Sequence, residues 1–390
     1  MKSPSVRPVT RGPRHHFFGY YDKCPWDLSG RYLLGCEVGF MDRQPMGEDV
    51  LVIGLIDLER GCAWEPICET RAWCWQTGCA LQWMPGAVGR QILYNDRRGG
   101  RFVTVVRDVA TGSERVLPRA VLTISRDGSQ AIGLNYSRLD DMRAGYGYPG
   151  LTDANARVFA PEDDGLWVMD LATGESRLAV SDAQVAAFEP QPTFAGRKHF
   201  INHADFNPSG TRLMFLHRWA EADASGRRTG NWGTRFFTAN PDGSDLFLFT
   251  TDWKVSHYDW RDDATILAWA IIGGRDRFFL FHDRTRRTEV VGEGVLTCDG
   301  HCSYSPDRRW ILTDTYPDKE HKRTLLLYEV ATGWRVDLGR FYSPPELEGP
   351  LRCDLHPRWS RDGTRISIDS AHEGSRQIYV LDAAEVVKER

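Results

Sequence analysis

One short unit recurs seven times along the chain, and it constrains the fold more than any other feature. Each copy runs from an apolar or aromatic residue through a Ser/Asn/Asp/Pro/Gly turn into an alternating strand. Trp26-Asp27-Leu28-Ser29-Gly30 leads into Arg31-Tyr32-Leu33-Leu34. Trp83-Met84-Pro85-Gly86, Ile124-Ser125-Arg126-Asp127-Gly128 and Phe206-Asn207-Pro208-Ser209-Gly210 follow. Trp260-Arg261-Asp262-Asp263, Tyr304-Ser305-Pro306-Asp307 and Trp359-Ser360-Arg361-Asp362-Gly363 complete the series. Such turns close β-hairpins, with glycine supplying positive φ. Two hairpins make a four-stranded sheet, and seven sheets around an axis make a seven-bladed β-propeller, which protects its edges by radial repetition. The expectation is an all-β chain forming a single closed domain. Its blades should span about 16–60, 71–115, 118–178, 196–250, 254–293, 297–338 and 350–382. Helical periodicity is expected only at Ala383–Lys388.

Composition removes several alternatives. With 41% hydrophobic and 12% aromatic residues the chain is not disordered. No apolar run reaches the roughly 18 residues of a membrane span. The net charge of −4 offers no global field for nucleic acid. Nine scattered cysteines do not form a disulfide framework, and Met1–Arg7 holds no apolar signal core, so a cytoplasmic location with reduced thiols is expected unless a leader has been removed.

Three positions before each repeat's apolar or aromatic residue, blades four to seven carry His203, His257, His301 and His356; the earlier blades carry Lys23, Ala80 and Val121. Equal registers in a propeller form a ring at one channel mouth, so the four imidazoles should converge. The returning second strands bring Glu37, Asp96, Asn135 with Arg138, His217-Arg218, Asp314 and Asp369 to the same face. Imidazole with carboxylate suits zinc, manganese or iron, and histidine with tyrosine also serves proton transfer. Both readings of the ring stand. Cys298-X-X-His301 and Cys353-X-X-His356 offer either sulfur ligands or small buried residues. Tyr20, Tyr21 and Lys23 either face the mouth or belong to an aromatic first strand. Blade three carries an insertion, Ser137–Gly150, too long for a tight turn.

Asn202-His203-Ala204-Asp205-Phe206, Ser256-His257-Tyr258-Asp259-Trp260, Gly300-His301-Cys302-Ser303-Tyr304 and His356-Pro357-Arg358-Trp359-Ser360-Arg361-Asp362-Gly363 resemble oligogalacturonate lyase, a seven-bladed polysaccharide lyase family. Ulvan lyase propellers are more distant kin. The resemblance covers most of the chain in blade order and is concentrated at these turns. It implies β-elimination on a uronic-acid oligosaccharide or polysaccharide, with a bound divalent metal (manganese, zinc or calcium). On that basis His257, His301, His356 and Asp354 would hold the metal, although Asp354 stands where the family has histidine and Leu351 where it has glutamine. His203 and His217 would act as acid and base, Arg218 and Arg138 would clamp the carboxylate, and Tyr148 would serve as a lid. Neither nucleic acid nor membrane is an expected partner.

Two rivals remain at this level. A glycoside hydrolase on the same scaffold needs two carboxylates about 5–10 Å apart, with Glu37, Asp314 and Asp369 as candidates. A non-catalytic propeller binding glycan or protein would tolerate loss of the histidines.

Overall fold

The computed structural model describes residues 4–86 and 90–388. Part of the N-terminal segment read for a signal, Met1–Ser3, lies outside the described residues. Among the described residues, seven antiparallel four-stranded sheets form the blades of a single-domain propeller. Ring closure uses both ends of the chain. Val6–Pro8 pairs with Gln377–Asp382, in the register Val6↔Leu381 and Pro8↔Tyr379, and supplies the outer strand of blade seven. This strand carries no turn unit, so the repeat does not mark it. Blade one also runs further than expected, its outer strand being Ala63–Thr70.

The turn units act as their chemistry requires. In blade seven, Ser360 Oγ donates to Asp362 at 2.6 Å and accepts from the amide of Arg365 at 2.8 Å, while Gly363 takes φ +70°. Ser305 with Asp307 repeats this in blade six. Ahead of six of the seven turns stands an aromatic residue buried between blades, from Trp26 and Trp260 to Trp359, and blade three has the half-buried Ile124 instead. The core is therefore a ring of inter-blade layers rather than a single mass.

Two short helices were not foreseen. Tyr136–Met142 opens the blade-three insertion, capped by Asn135, whose side chain accepts from the amide of Arg138. Asp182–Ala187 carries a Ser181/Gln184 capping box. Each has fewer than eight residues, too few for periodicity to register. The C-terminal helix, Ala384–Lys388, matches the reading of that segment. Among the described residues, no helix is long and apolar enough to cross a membrane.

Blade one departs most from the repeat. After its inner strand His15–Phe17, the chain leaves the sheet at Gly19. Here φ is +131°, and a Cβ would stand 3.0 Å from the carbonyl oxygen of Thr77, so only glycine fits. The following Tyr20 and Tyr21 are buried on the channel axis, and the Tyr21 hydroxyl donates to the carbonyl of Tyr258 and accepts from its amide, both at 2.8 Å. Lys23 pairs with Asp22 at 2.8 Å and lines a cavity with Asp205 and Asp259 rather than with the histidines.

Candidate active site and metal centre

Two of the four histidines in the shared register have an unusual backbone. His203 and His356 adopt φ +53° and +42°, and Ala80, at the same register in blade two, adopts +55°. At His203 the pairing shifts by one residue, the register breaking between Asn202 and Ala204. Such a bulge re-aims a side chain that strict alternation would send into a blade. Since Ala80 shares the conformation without any chemistry, the conformation belongs to the fold; His257 and His301 hold the same register without it.

Three of the four imidazoles gather around Tyr20, and the fourth, His257, lies against Tyr21 and His301. Ring centres of His203, His356 and His301 lie 5.2, 4.9 and 5.9 Å from it. His301 lies 4.0 Å from His257 and 4.4 Å from His356. Tyr146, from the blade-three insertion, sets its ring 5.2 Å from His203.

Carboxylates divide these histidines by role. Asp314 accepts from Nδ1 of His301 at 2.9 Å and from its backbone amide at 2.8 Å, leaving Nε2 as the lone-pair nitrogen. Nε2 of His301 and Nε2 of His356 are both buried without a hydrogen-bond partner. Each stands 3.8 Å from Oδ2 of Asp354. Two imidazole nitrogens and one carboxylate thus lie within 4.8 Å of one another. Donors about 2.1 Å from a tetrahedral ion stand about 3.4 Å apart, so the three fit a first-row divalent cation, and Asp314 completes the usual carboxylate–histidine support. Asp354 is not free, however: Arg352 Nε donates to it at 2.6 Å and Arg323 Nη2 lies 2.7 Å away. Burial opposes its charge, yet the two guanidiniums hold it ionised well below the ordinary carboxylate range.

His257, expected among the ligands, stands outside this trio. Its Nδ1 is 2.9 Å from Oδ1 of Asp299, which orients the ring and leaves Nε2 basic. Burial, and then the neighbouring His301, keep its pKa below the ordinary value despite Asp299. Burial and then Arg218 do the same to His203, well below the ordinary value. Both are neutral bases at neutral pH.

Three expected residues do not join the site. Arg138 is buried in a structural network, 3.0 Å from Asp153 and 3.2 Å from Asp182, with further bonds to the carbonyls of His199, Asn155, Val158 and Phe159. His217 pairs with His199 at 2.9 Å and with Arg235, inside blade four. Tyr148 stacks on Tyr136 at 3.9 Å and accepts from Asn95, fully buried, so it is no lid. The cysteines do not join either: Cys298 is exposed, Cys302 and Cys353 are buried, and the ligand-capable trio contains none. Arg218 is at the site, buried, with Nε and Nη1 unpartnered.

In their place come residues the repeat did not flag. Tyr146 accepts from Arg352 Nη2 at 2.7 Å, with Arg143 Cζ 4.1 Å from its ring. Burial opposes ionisation of this phenol, but Arg352 and Arg143 draw its pKa below the ordinary tyrosine value. Tyr20 has the opposite setting: burial and the charge of Tyr146 push it well above. The three carboxylates suggested for a hydrolase are all engaged. Glu37 bonds His16, Asp314 bonds His301, and Asp369 takes Arg358 and the amide of Phe18.

No protein-family model and no curated protein sequence matches the chain. Its likeness is to solved structures. An oligogalacturonate lyase from Vibrio parahaemolyticus superposes with TM-score 0.66 at 16% identity, over 98% of this chain and 94% of that one. An oligogalacturonate lyase in complex with manganese gives TM-score 0.68 at 16% identity, over 99% and 95%. A puromycin-hydrolyzing peptidase from Mycobacterium tuberculosis gives 0.53 at 12% identity, over 95% of this chain and 53% of that one. At these identities the comparisons establish the fold: a seven-bladed propeller like that of the oligogalacturonate lyases.

Proposed function

We propose that the protein is a lyase that cleaves a uronic-acid-containing oligosaccharide or polysaccharide by β-elimination at the histidine-lined mouth. The observation that carries this reading is His257. It is a neutral imidazole oriented by Asp299, ring to ring at 4.0 Å from a histidine of a ligand-capable trio. A proton acceptor thus sits beside a place for positive charge, which is what abstraction next to a carboxylate requires.

His257 Nε2 takes the C5 proton of the uronate. Arg218, buried and with unpartnered nitrogens, faces the carboxylate and offsets the charge that builds as C5 is deprotonated. The C4–O4 bond breaks as the C4–C5 double bond forms. The Tyr20 phenol, kept protonated by burial, gives its proton to the leaving O4. His203, stacked on Tyr20, holds that ring in place. A divalent ion held by His301, His356 and Asp354 would add Lewis-acid charge at the same carboxylate. The manganese-bound oligogalacturonate lyase structure supports both the substrate class and the metal.

The test is incubation of purified protein with a panel of uronic-acid oligosaccharides, oligogalacturonate first, following the ultraviolet absorbance of the unsaturated product. A signal that His257→Ala abolishes supports the reading. Silence across the panel in the metal-replete protein overturns it.

A further inference from the structure

Blade four's long hairpin carries positive charge that the chain does not neutralise. Its strands are Leu213–Ala222 and Arg228–Ala239. Three guanidiniums surround the half-buried Trp232 of this hairpin. Cζ of Arg228, Arg143 and Arg218 lies 4.7, 4.9 and 5.5 Å from its ring. Among the described residues none of the three has a carboxylate within 4.0 Å. Arg228 spends donors on the carbonyls of Met142 and Gly230, which ties the blade-three insertion to the hairpin. Nε and Nη1 of both Arg143 and Arg218 are buried without a hydrogen-bond partner, Arg143 otherwise lying over the Tyr146 ring.

Arg138 shows what this fold does with a buried guanidinium that serves structure: it surrounds it with two carboxylates and four carbonyls. Leaving guanidinium nitrogens unpaired is costly, and like charges around one indole add repulsion. An anionic ligand removes both penalties. One uronate carboxylate takes one bidentate guanidinium, and Arg218 is assigned to it. Arg143 and Trp232 remain, and Trp232 also lines a surface groove with Trp219 and Trp253.

We infer that Arg143 and Trp232, buttressed by Arg228, form a subsite for a second sugar that carries its own oxyanion, a carboxylate or a sulfate ester. The indole supplies a stacking face and Arg143 the charge. This rests on the lyase reading for the position of the first sugar, but it makes a separate claim: the ligand must be at least a disaccharide with two negative charges. The insertion that brings Arg143 is therefore a specificity device.

Calorimetric titration separates the two claims, because binding needs no turnover. The probes are galacturonate, digalacturonate, a galacturonate disaccharide whose second ring is uncharged, and one whose second ring bears a sulfate ester instead of a carboxylate. His257→Ala protein is used so that nothing is consumed. At least one doubly charged disaccharide should bind about tenfold or more tighter than the singly charged one. The two charged arms tell carboxylate from sulfate. Arg143→Gln should collapse that ratio, and Arg143→Lys should restore part of it. Equal affinity for singly and doubly charged disaccharides, an unchanged ratio in folded Arg143→Gln, or no binding of any probe overturns the subsite. Tight, Arg143-dependent binding without any elimination product from the wild type would instead overturn the lyase reading and leave the subsite standing.

Discussion

Asp299 holds Nδ1 of His257 at 2.9 Å, and this pairing separates the two roles open to the histidine ring. His257→Ala should lower kcat by about 10²–10⁴-fold, the usual worth of a general base. Asp299→Asn should cost less and leave the melting temperature nearly unchanged. Steady-state kinetics with a melting curve for each variant checks both.

Asp314 does for His301 what Asp299 does for His257, but on the side of the metal trio. Asp314→Asn should weaken divalent metal affinity by about 10–100-fold. His301→Ala or His356→Ala should abolish stoichiometric binding, whereas His257→Ala should keep it. Elemental analysis after dialysis reads all four. Loss of metal in His257→Ala would return that residue to the ligand set.

Arg138 should matter for folding, not for chemistry. Removing it leaves Asp153 and Asp182 buried without their partner. Arg138→Ala should lose about 3–5 kcal/mol of stability, the cost of breaking a buried pair. The fraction that folds should keep a near-normal kcat. Denaturant unfolding and active-site-normalised kinetics provide the check.

Asp205 and the buried histidines pull stability in opposite directions with pH. Burial, then the charge of Asp22, pushes Asp205 up to about 7. A folded pKa above the unfolded one gives a contribution that is full at low pH and lost as pH rises through about 7. Burial, then Arg235 and Arg138, hold His199 down at about 4. Its contribution is full above the unfolded value and is lost as pH falls towards about 4. Asp205→Asn removes the first effect alone. The variant should melt higher than wild type at about pH 8, by at least about 2 °C, with the margin shrinking on acidification to about pH 4. A margin that stays constant with pH would contradict the assignment.

The propeller was legible because its signal is local and repeated. Each Ser/Asn-Pro/Arg-Asp-Gly turn writes its own hairpin, and equal positions in equal repeats made His203, His257, His301 and His356 a ring. What failed lay outside the repeat. The blade-three insertion has no sister copy to set its register, so the sequence alone puts Arg138 and Tyr148 at the mouth where Arg143 and Tyr146 stand. Tyr146 and Tyr148 flank Gly147, one ring against His203 and the other on Tyr136. A Cβ on Gly147 would lie 1.9 Å from the amide nitrogen of Asp140, so the loop packs flat on the helix. His217 misled for another reason. Its strand returns to the correct face, but its side chain alternates into the blade interior beside His199. Asp299 carries no mark in the sequence, and the rim position of Asp314 does not disclose its bond to His301, because a carboxylate that orients a histidine is chosen by spatial contact across a loop or strand pair, not by spacing.

The central claim is that a glycosidic bond is broken by elimination. The most direct measurement is the mass of both fragments after digestion of a defined oligogalacturonate in excess divalent metal. Elimination predicts fragment masses that sum to the substrate mass, with the unsaturated sugar at the new non-reducing end. Fragments that together exceed the substrate by one water would show hydrolysis and contradict the account.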